Sequence, residues 1–122
     1  MAKILIVEDN EMNMRLFADL VKTKGHEVFE CLEGKKALQM AKDIKPDLIL
    51  MDIQMPEVDG LTVTKLIRQE KEIAKTKIIA VTAFAMPGDL DRILEGGLDD
   101  YISKPISVPK FLDMIEKALT EK

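Results

Sequence analysis

Asp52 ends a short apolar run, and its position favours chemistry more than that of any other residue in the chain. The run, residues 48–51, has the length and composition of a short buried strand. In open α/β sheets, binding sites lie beyond the carboxyl ends of the strands, so the Asp52 carboxylate stands where a site is expected. Residues 3–7 form a similar run that leads directly into Glu8 and Asp9. The sequence therefore predicts three carboxylates at one edge of a sheet.

Two further short strand-like runs end in groups of different chemistry. Residues 78–81 lead into Thr82, and residues 100–103 lead into Lys104. Each residue alone has a simpler explanation, because Asp often forms turns, Thr favours strands and Lys is usually solvated. Their joint occurrence at strand ends favours a shared function.

These residue types suit phosphoryl transfer assisted by a divalent cation. Clustered carboxylates repel one another, and Mg²⁺ relieves that repulsion because it binds carboxylate and carbonyl oxygens. A carboxylate can accept a phosphoryl group, while Lys104 and Thr82 could contact the phosphoryl oxygens. Glu8, Asp9 and Asp52 are the candidate metal ligands, together with a backbone carbonyl in the loop after Asp52. Without phosphate, we expect Lys104 to pair with the acids.

Charge and residue usage exclude several classes of protein. The formal net charge of −4 disfavours direct nucleic-acid binding, which requires a basic face. No apolar run approaches the roughly 18 residues of a membrane span, and the N-terminus has no signal-peptide pattern. Cys31 is the only cysteine and His26 the only histidine, which argues against a disulfide or a soft-metal site. We expect a cytoplasmic protein without a membrane partner, and an exposed His26.

The elements that must position the site alternate between strand-like and helix-like segments. Apolar residues at helical spacing predict five helices, which lie at residues 11–24, after Gly34, after Gly60, before Gly96 and from Val108. Alternation with five short strands predicts an α/β fold with a doubly wound five-stranded parallel sheet. The simplest strand order is 2-1-3-4-5, in one domain over residues 1–122. The topological switch point then lies between strands 1 and 3, which carry the acids.

The residues around this predicted site resemble the receiver domain of two-component response regulators. The resemblance covers essentially the whole chain and is carried by residues 5–10, 47–56, 59–60, 81–83 and 103–105. It implies a flavodoxin-like receiver that accepts a phosphoryl group on Asp52 and signals by phosphorylation-dependent protein binding. It also implies a switch that assists its own phosphorylation and slow dephosphorylation, and not a turnover enzyme.

The resemblance implies a role for each matching acidic position. Asp52 would be the phosphoacceptor and Asp9 the main carboxylate on Mg²⁺, for which Mn²⁺ or Ca²⁺ could substitute. Glu8, which stands where many family members have Asp, would assist mostly through water. Gln54 would offer its backbone carbonyl to the metal, and its side chain and Phe84 would tune the dephosphorylation rate.

The resemblance also implies a switch and its partners. Thr82 and Lys104 would hold the phosphoryl oxygens, the bond between Lys104 and Pro105 would be cis, and Tyr101 would turn inward as Thr82 moves. The donor would be a histidine on a sensor histidine kinase or a histidine phosphotransfer protein. A downstream protein would bind the face formed by the fourth helix, Tyr101 and the fifth helix. Residues 9–17, 82–89 and 101–107 resemble regulators of bacterial cell division in particular.

Two other functions fit parts of the pattern less well. A Mg²⁺ phosphatase with an aspartyl nucleophile often needs an acid two residues after it, where this chain has Gln54, and it needs a cap segment that is absent. A flavodoxin-like electron carrier needs an anion-binding loop after the first strand, where Glu8 and Asp9 would repel a phosphate. The chain also has no Trp, and only Tyr101, to stack a flavin.

Overall fold

The computed structural model describes residues 2–55, 58–83 and 87–120, with the side chains of Pro87, Asp89 and Leu90 left out. The strands are β1 Lys3–Val7, β2 Glu27–Cys31, β3 Leu48–Asp52, β4 Lys77–Thr82 and β5 Asp100–Ser103. The helices are α1 Glu11–Lys22, α2 Ala37–Ile44, α3 Gly60–Arg68, α4 Pro87–Glu95 and α5 Val108–Thr120, and a short 3-10 turn, Gly34–Lys36, precedes α2. None of the described helices is long and apolar enough to cross a membrane.

All strand pairings are parallel, and the strand order is β2-β1-β3-β4-β5. This order confirms the prediction. The central strands are apolar on both faces, as expected for a parallel sheet covered by helices on both sides. Leu5 and Ile49 pack into the core on one face, whereas Ile4 and Leu48 pack into the core on the other. With both faces packed, the sheet provides a stiff edge from which the functional residues project.

Local sequence determines where α1 begins and ends. The Asn10 side chain caps the helix, because its Oδ1 accepts a hydrogen bond of 2.9 Å from the Asn13 N–H. The buried residues Met14, Phe17, Ala18 and Val21 follow at helical spacing. The helix ends at Lys22, two residues before the predicted end. Residues 23–25 instead form a turn, in which Gly25 adopts a φ of 82°.

His26 is not exposed, and that expectation was wrong. Only 9% of its side chain is exposed, because the ring lies between the start of β1 and α5. The Ala2 N–H donates to Nδ1 at 3.2 Å, and Nε2 lies 2.9 Å from Glu116 Oε1. These contacts join residues far apart in sequence, so the local sequence pattern did not indicate them.

Arg68 joins α3 to residues near the amino ends of β4 and β5, at the end of the sheet opposite the acids. Its guanidinium donates to the carbonyls of Ala74, Thr76 and Gly97 at 2.6 to 2.9 Å. It also donates to Asp99 Oδ2 at 3.0 Å, and that same oxygen accepts a hydrogen bond from the Ile78 N–H near the start of β4. One side chain thus joins α3, the entry to β4 and the α4–β5 loop.

Replacing Arg68 with Ala should destabilise the fold. Three carbonyls would lose a charged donor, and hydrogen bonds to charged groups contribute up to about 3 kcal/mol each. Because the Arg68 side chain is 23% exposed and water can partly replace it, we expect a smaller total loss of about 2–4 kcal/mol in the free energy of unfolding. Urea denaturation would measure it. The control is Arg15→Ala on the exposed face of α1, where a change within about 0.5 kcal/mol is expected. Equal effects for the two variants would contradict the role of Arg68.

Candidate functional site

Glu8 and Asp52 are buried side by side at the carboxyl edge of the sheet. Their exposed fractions are only 1% and 2%. Val7 pairs with Met51 across β1 and β3, so the residues that follow them, Glu8 and Asp52, lie at the same level. Asp9 lies beside them and is more exposed, and carboxylate oxygens of all three acids lie within 4.8 Å of one another. The structure therefore brings together the acids that the sequence analysis grouped.

Lys104 inserts its ammonium group between the two buried acids. Its Nζ lies 3.0 Å from Glu8 Oε1 and 3.6 Å from Asp52 Oδ2. A hydrogen bond fixes the backbone of Lys104, because its N–H donates to the Thr82 carbonyl at 2.8 Å. Its peptide bond to Pro105 is cis. The expected ion pairing between Lys104 and the acids is present.

Backbone amides hold the remaining oxygens of the buried acids. The Asn10 N–H donates to Glu8 Oε2 at 3.1 Å, and the Gln54 N–H donates to Asp52 Oδ1 at 3.0 Å. Each carboxylate therefore has one oxygen fixed by the loop that follows it and another directed towards Lys104. The Asn10 amide could not be identified as a partner from sequence, because almost any residue provides a backbone N–H at that position.

Burial and charge raise the pKa of the Asp52 carboxyl to about 7. Burial is the largest cause, and the neighbouring Glu8 carboxylate is the next. The Lys104 ammonium and the Gln54 amide act in the opposite direction, but they offset only part of the shift. The negative charge of ionised Asp52 is therefore not fully balanced when only protein groups surround it.

The donor set fits a hard divalent cation. Three carboxylates and one ammonium group carry a formal charge of −2, which a divalent cation balances. The cluster offers carboxylate oxygens, and Mg²⁺ characteristically binds one or two carboxylates together with waters and phosphate oxygens. Glu8, Asp9 and Asp52 could hold the ion, and Gln54 lies in the loop directly after β3.

Thr82 lies on β4, the strand next to that of Asp52, and Tyr101 lies on β5, one strand further away. Asp52 pairs with Val81, so Thr82 lies one step further along β4 at the same sheet edge, fully buried and paired with Ser103. Tyr101 lies two residues before Ser103 on β5 and packs, half-buried, against the core that includes Met51 and Ala80. Phe84 lies outside the described residues.

Gly60 allows α3 to begin directly against the strand that carries Asp52. A Cβ atom at Gly60 would clash with the Asp52 carbonyl oxygen and lie 2.9 Å from Ile53 Cα. The Gly60 N–H donates to the Ile53 carbonyl at 3.2 Å, and Asp59 caps the helix through the Leu61 N–H at 2.8 Å. In the sequence, Gly60 indicated a helix start and, with Asp59, formed part of the family resemblance. The Asp-Gly pair before an apolar helix was the available signal of this close approach.

The model of the response regulator receiver domain family matches residues 4–116. This chain belongs to that family. The receiver is 53% identical over 116 residues to the polar-differentiation response regulator DivK of Brucella anthropi, over 95% of this chain and 94% of the relative. DivK of Brucella abortus (strain 2308) has the same identity and coverage.

Solved receiver structures share the fold over nearly their whole length. Chemotaxis protein CheY4 of Vibrio cholerae superimposes with a TM-score of 0.92 at 25% identity, over 98% of this receiver and 99% of that chain. The receiver domain of sensor histidine kinase PA1611 from Pseudomonas aeruginosa superimposes with a TM-score of 0.89 at 31% identity, over 97% of each chain. That receiver domain has a magnesium ion coordinated in its active-site cleft. Membership of this family implies a histidine kinase or phosphotransfer partner.

Replacing Asp52 with Asn should stabilise the metal-free receiver at high pH. Because the pKa of Asp52 is raised to about 7 in the folded state, its contribution to stability is full below about pH 4 and is lost as the pH rises through 7. An amide is neutral throughout and keeps an oxygen for the Gln54 N–H. We therefore expect Asp52→Asn to gain on the order of 1–4 kcal/mol above pH 7 and almost nothing at pH 4.

Urea denaturation in EDTA between pH 4 and pH 8.5 would measure this gain. The matched control is Asp19→Asn on the exposed face of α1. A gain of equal size at every pH would show that ionisation of the Asp52 carboxyl does not destabilise the fold.

Proposed function

We propose that this receiver is a phosphorylation-controlled switch in which Asp52 accepts a phosphoryl group from a phosphohistidine. The observation that carries the proposal is the convergence of Glu8, Asp9, Asp52 and Lys104 at the carboxyl ends of β1, β3 and β5. That arrangement supplies an acceptor, a cation for the phosphoryl oxygens and ligands for a metal. The donor would be a sensor histidine kinase or a histidine phosphotransfer protein.

Mg²⁺ is the metal that the donor set favours, with Mn²⁺ or Ca²⁺ as substitutes. Asp9, Asp52 and the Gln54 backbone carbonyl would hold it, with Glu8 assisting mostly through water. When bound, the ion would neutralise charge on the transferring phosphoryl oxygens. The magnesium described for the PA1611 receiver supports this assignment, because that domain shares the fold.

Asp52 would act as the nucleophile. Its Oδ1 is fixed by the Gln54 N–H, which sets the orientation of the carboxylate. A carboxylate oxygen forms a bond to phosphorus while the bond from phosphorus to the donor imidazole nitrogen breaks. The electron pair stays on that nitrogen, which restores a free histidine. Lys104 Nζ, 3.6 Å from Asp52 Oδ2, then pairs with a phosphoryl oxygen, and the Thr82 hydroxyl donates to another.

The same residues favour storage of the phosphoryl group over rapid turnover. Gln54, two residues beyond the acceptor, cannot donate or accept a proton usefully at neutral pH. Hydrolysis of the aspartyl phosphate would therefore be slow, and the protein would assist its own phosphorylation without acting as a turnover enzyme. The buried free thiol of Cys31 suits a reducing compartment, so we place the switch in the cytoplasm.

The readout would pass from Thr82 to the face formed by α4, β5 and α5. Thr82 and Lys104 are joined by a backbone hydrogen bond of 2.8 Å, so movement of one strand end affects the other. Tyr101 would turn inward as Thr82 approaches the phosphoryl group. Leu94 on α4 and Val108 on α5 are 50% and 41% exposed, which supports a protein partner there. The 53% sequence identity to the polar-differentiation response regulator DivK of Brucella anthropi supports a role in bacterial cell-division control.

Phosphorylation by a small phosphodonor would test the acceptor. With phosphoramidate and Mg²⁺, we expect one acid-stable, base-labile phosphoryl group per chain, and none in EDTA. Asp52→Asn should abolish the labelling, whereas Asp19→Asn should label like the wild type. Persistent labelling of Asp52→Asn would contradict the assignment. Release of many equivalents of phosphate per chain from a phosphomonoester would favour the phosphatase alternative.

Tyrosine fluorescence would test the readout. Tyr101 is the only Tyr and the chain has no Trp, so its emission reports a single position. If the ring turns inward, the acrylamide quenching constant should fall on phosphorylation, because a buried ring is less accessible to the quencher. Asp52→Asn treated in the same way should not change. Unchanged quenching in fully phosphorylated protein would reduce Tyr101 to a packing role.

A further inference from the structure

Gly34 lies beneath the loop that joins β3 to α3. It is buried at the start of the 3-10 turn Gly34–Lys36. A Cβ atom added there would clash with Val58 Cγ1 and lie 2.8 Å from Met55 Cε and 3.1 Å from Met55 Sδ. Both residues belong to the β3–α3 loop, so their side chains rest on the backbone of the β2–α2 turn at a position where there is room only for glycine.

The same loop contains the groups that orient the proposed acceptor. The Gln54 N–H holds Asp52 Oδ1 at 3.0 Å, and Met55 is the next residue along the chain. At its other end the loop is fastened by the 3.2 Å hydrogen bond from Gly60 to Ile53. Met55 and Val58, which contact Gly34, lie between these two anchors, and Gln54 itself is exposed.

We propose that Gly34 is a positioning residue for the metal and phosphoryl site, acting through Met55 and Val58 on the Gln54 backbone. This inference rests on the proposed function, because it assumes that the Gln54 carbonyl is a metal ligand. Groups that orient a metal ligand from outside typically change metal affinity by 10- to 100-fold when they are altered. A methyl group at Gly34 would displace the loop and with it the Gln54 carbonyl.

The two contacts differ in how easily they could yield. Met55 touches Gly34 through the far end of a flexible side chain, which can rotate away. Val58 touches it through a methyl group on a β-branched side chain with restricted χ1. Val58 is therefore the contact that transmits the displacement, and its truncation should relieve it.

The test compares Mg²⁺ affinity, measured by calorimetry, with the rate of phosphorylation by phosphoramidate. We expect Gly34→Ala to weaken Mg²⁺ binding by about tenfold and to slow phosphorylation. Adding Val58→Ala should restore both to the level of Val58→Ala alone. Gly88→Ala is the matched control, because a Cβ there meets no atom within 4 Å. Arg68→Ala is the control for lost stability, and it should leave Mg²⁺ affinity unchanged.

The outcomes separate the inference from the proposed function. If the wild type neither binds Mg²⁺ nor becomes phosphorylated, the proposed function fails first. If the wild type does both and Gly34→Ala behaves like Gly88→Ala, or if Val58→Ala brings no rescue, Gly34 is not a positioning residue. Should Gly34→Ala not fold, the double variant is compared with Val58→Ala alone. Equal Mg²⁺ affinity then supports the inference, and a tenfold deficit overturns it.

Discussion

Two carboxylates buried side by side against a single ammonium group impose the constraint on which the rest of this structure depends. Glu8 and Asp52 are almost fully removed from solvent, and Lys104 lies within 3.6 Å of both. One cation cannot compensate two buried anions, which is why the pKa of Asp52 is raised to about 7. The site is therefore poised to gain positive charge, from a proton or from a divalent cation.

The scaffold keeps this unfavourable arrangement in place. Adjacent parallel strands bring the two acids to one level, and both faces of the sheet are packed, so the strand ends cannot spread apart at low cost. Backbone amides from Asn10 and Gln54 fix one oxygen of each acid. Because these donors belong to the main chain, they depend on loop conformation and not on side-chain identity. Loop packing therefore controls the chemistry of the site.

Phosphorylation would relieve the same imbalance in a different way. The phosphoryl oxygens would move the negative charge outward from Asp52, towards Lys104, Thr82 and the metal. Lys104 would exchange carboxylate partners for phosphoryl oxygens, and its backbone link to Thr82 would carry the rearrangement to β4 and β5. The switch would thus follow from redistribution of charge among groups that the fold already holds within a few ångströms.

Much of the fold could be predicted from sequence because it depends on local patterns. Apolar runs such as residues 48–51 mark buried parallel strands, and acids at their ends mark the functional edge. The alternation of elements gave the sheet, whereas the roles of Tyr101, Gln54 and the cis bond before Pro105 came only from family resemblance.

The sequence did not indicate the contacts between distant segments of the chain. The burial of His26 depends on Ala2 and Glu116, and the packing of Gly34 depends on Met55 and Val58. A glycine in a turn and a glycine beneath a loop look alike in a sequence, because close approach is a property of tertiary structure. Only the Asp-Gly pair at Gly60 carried a local signal, and there it marked a helix start.

The central claim is that Asp52 itself carries the phosphoryl group. Borohydride reduces an aspartyl phosphate to homoserine, so the phosphorylated receiver can be reduced, digested and mapped by peptide mass spectrometry. The account predicts homoserine at position 52, formed only when Mg²⁺ and phosphodonor are both present. Stoichiometric phosphorylation with an unmodified Asp52, and the reduced residue elsewhere in the chain, would contradict it.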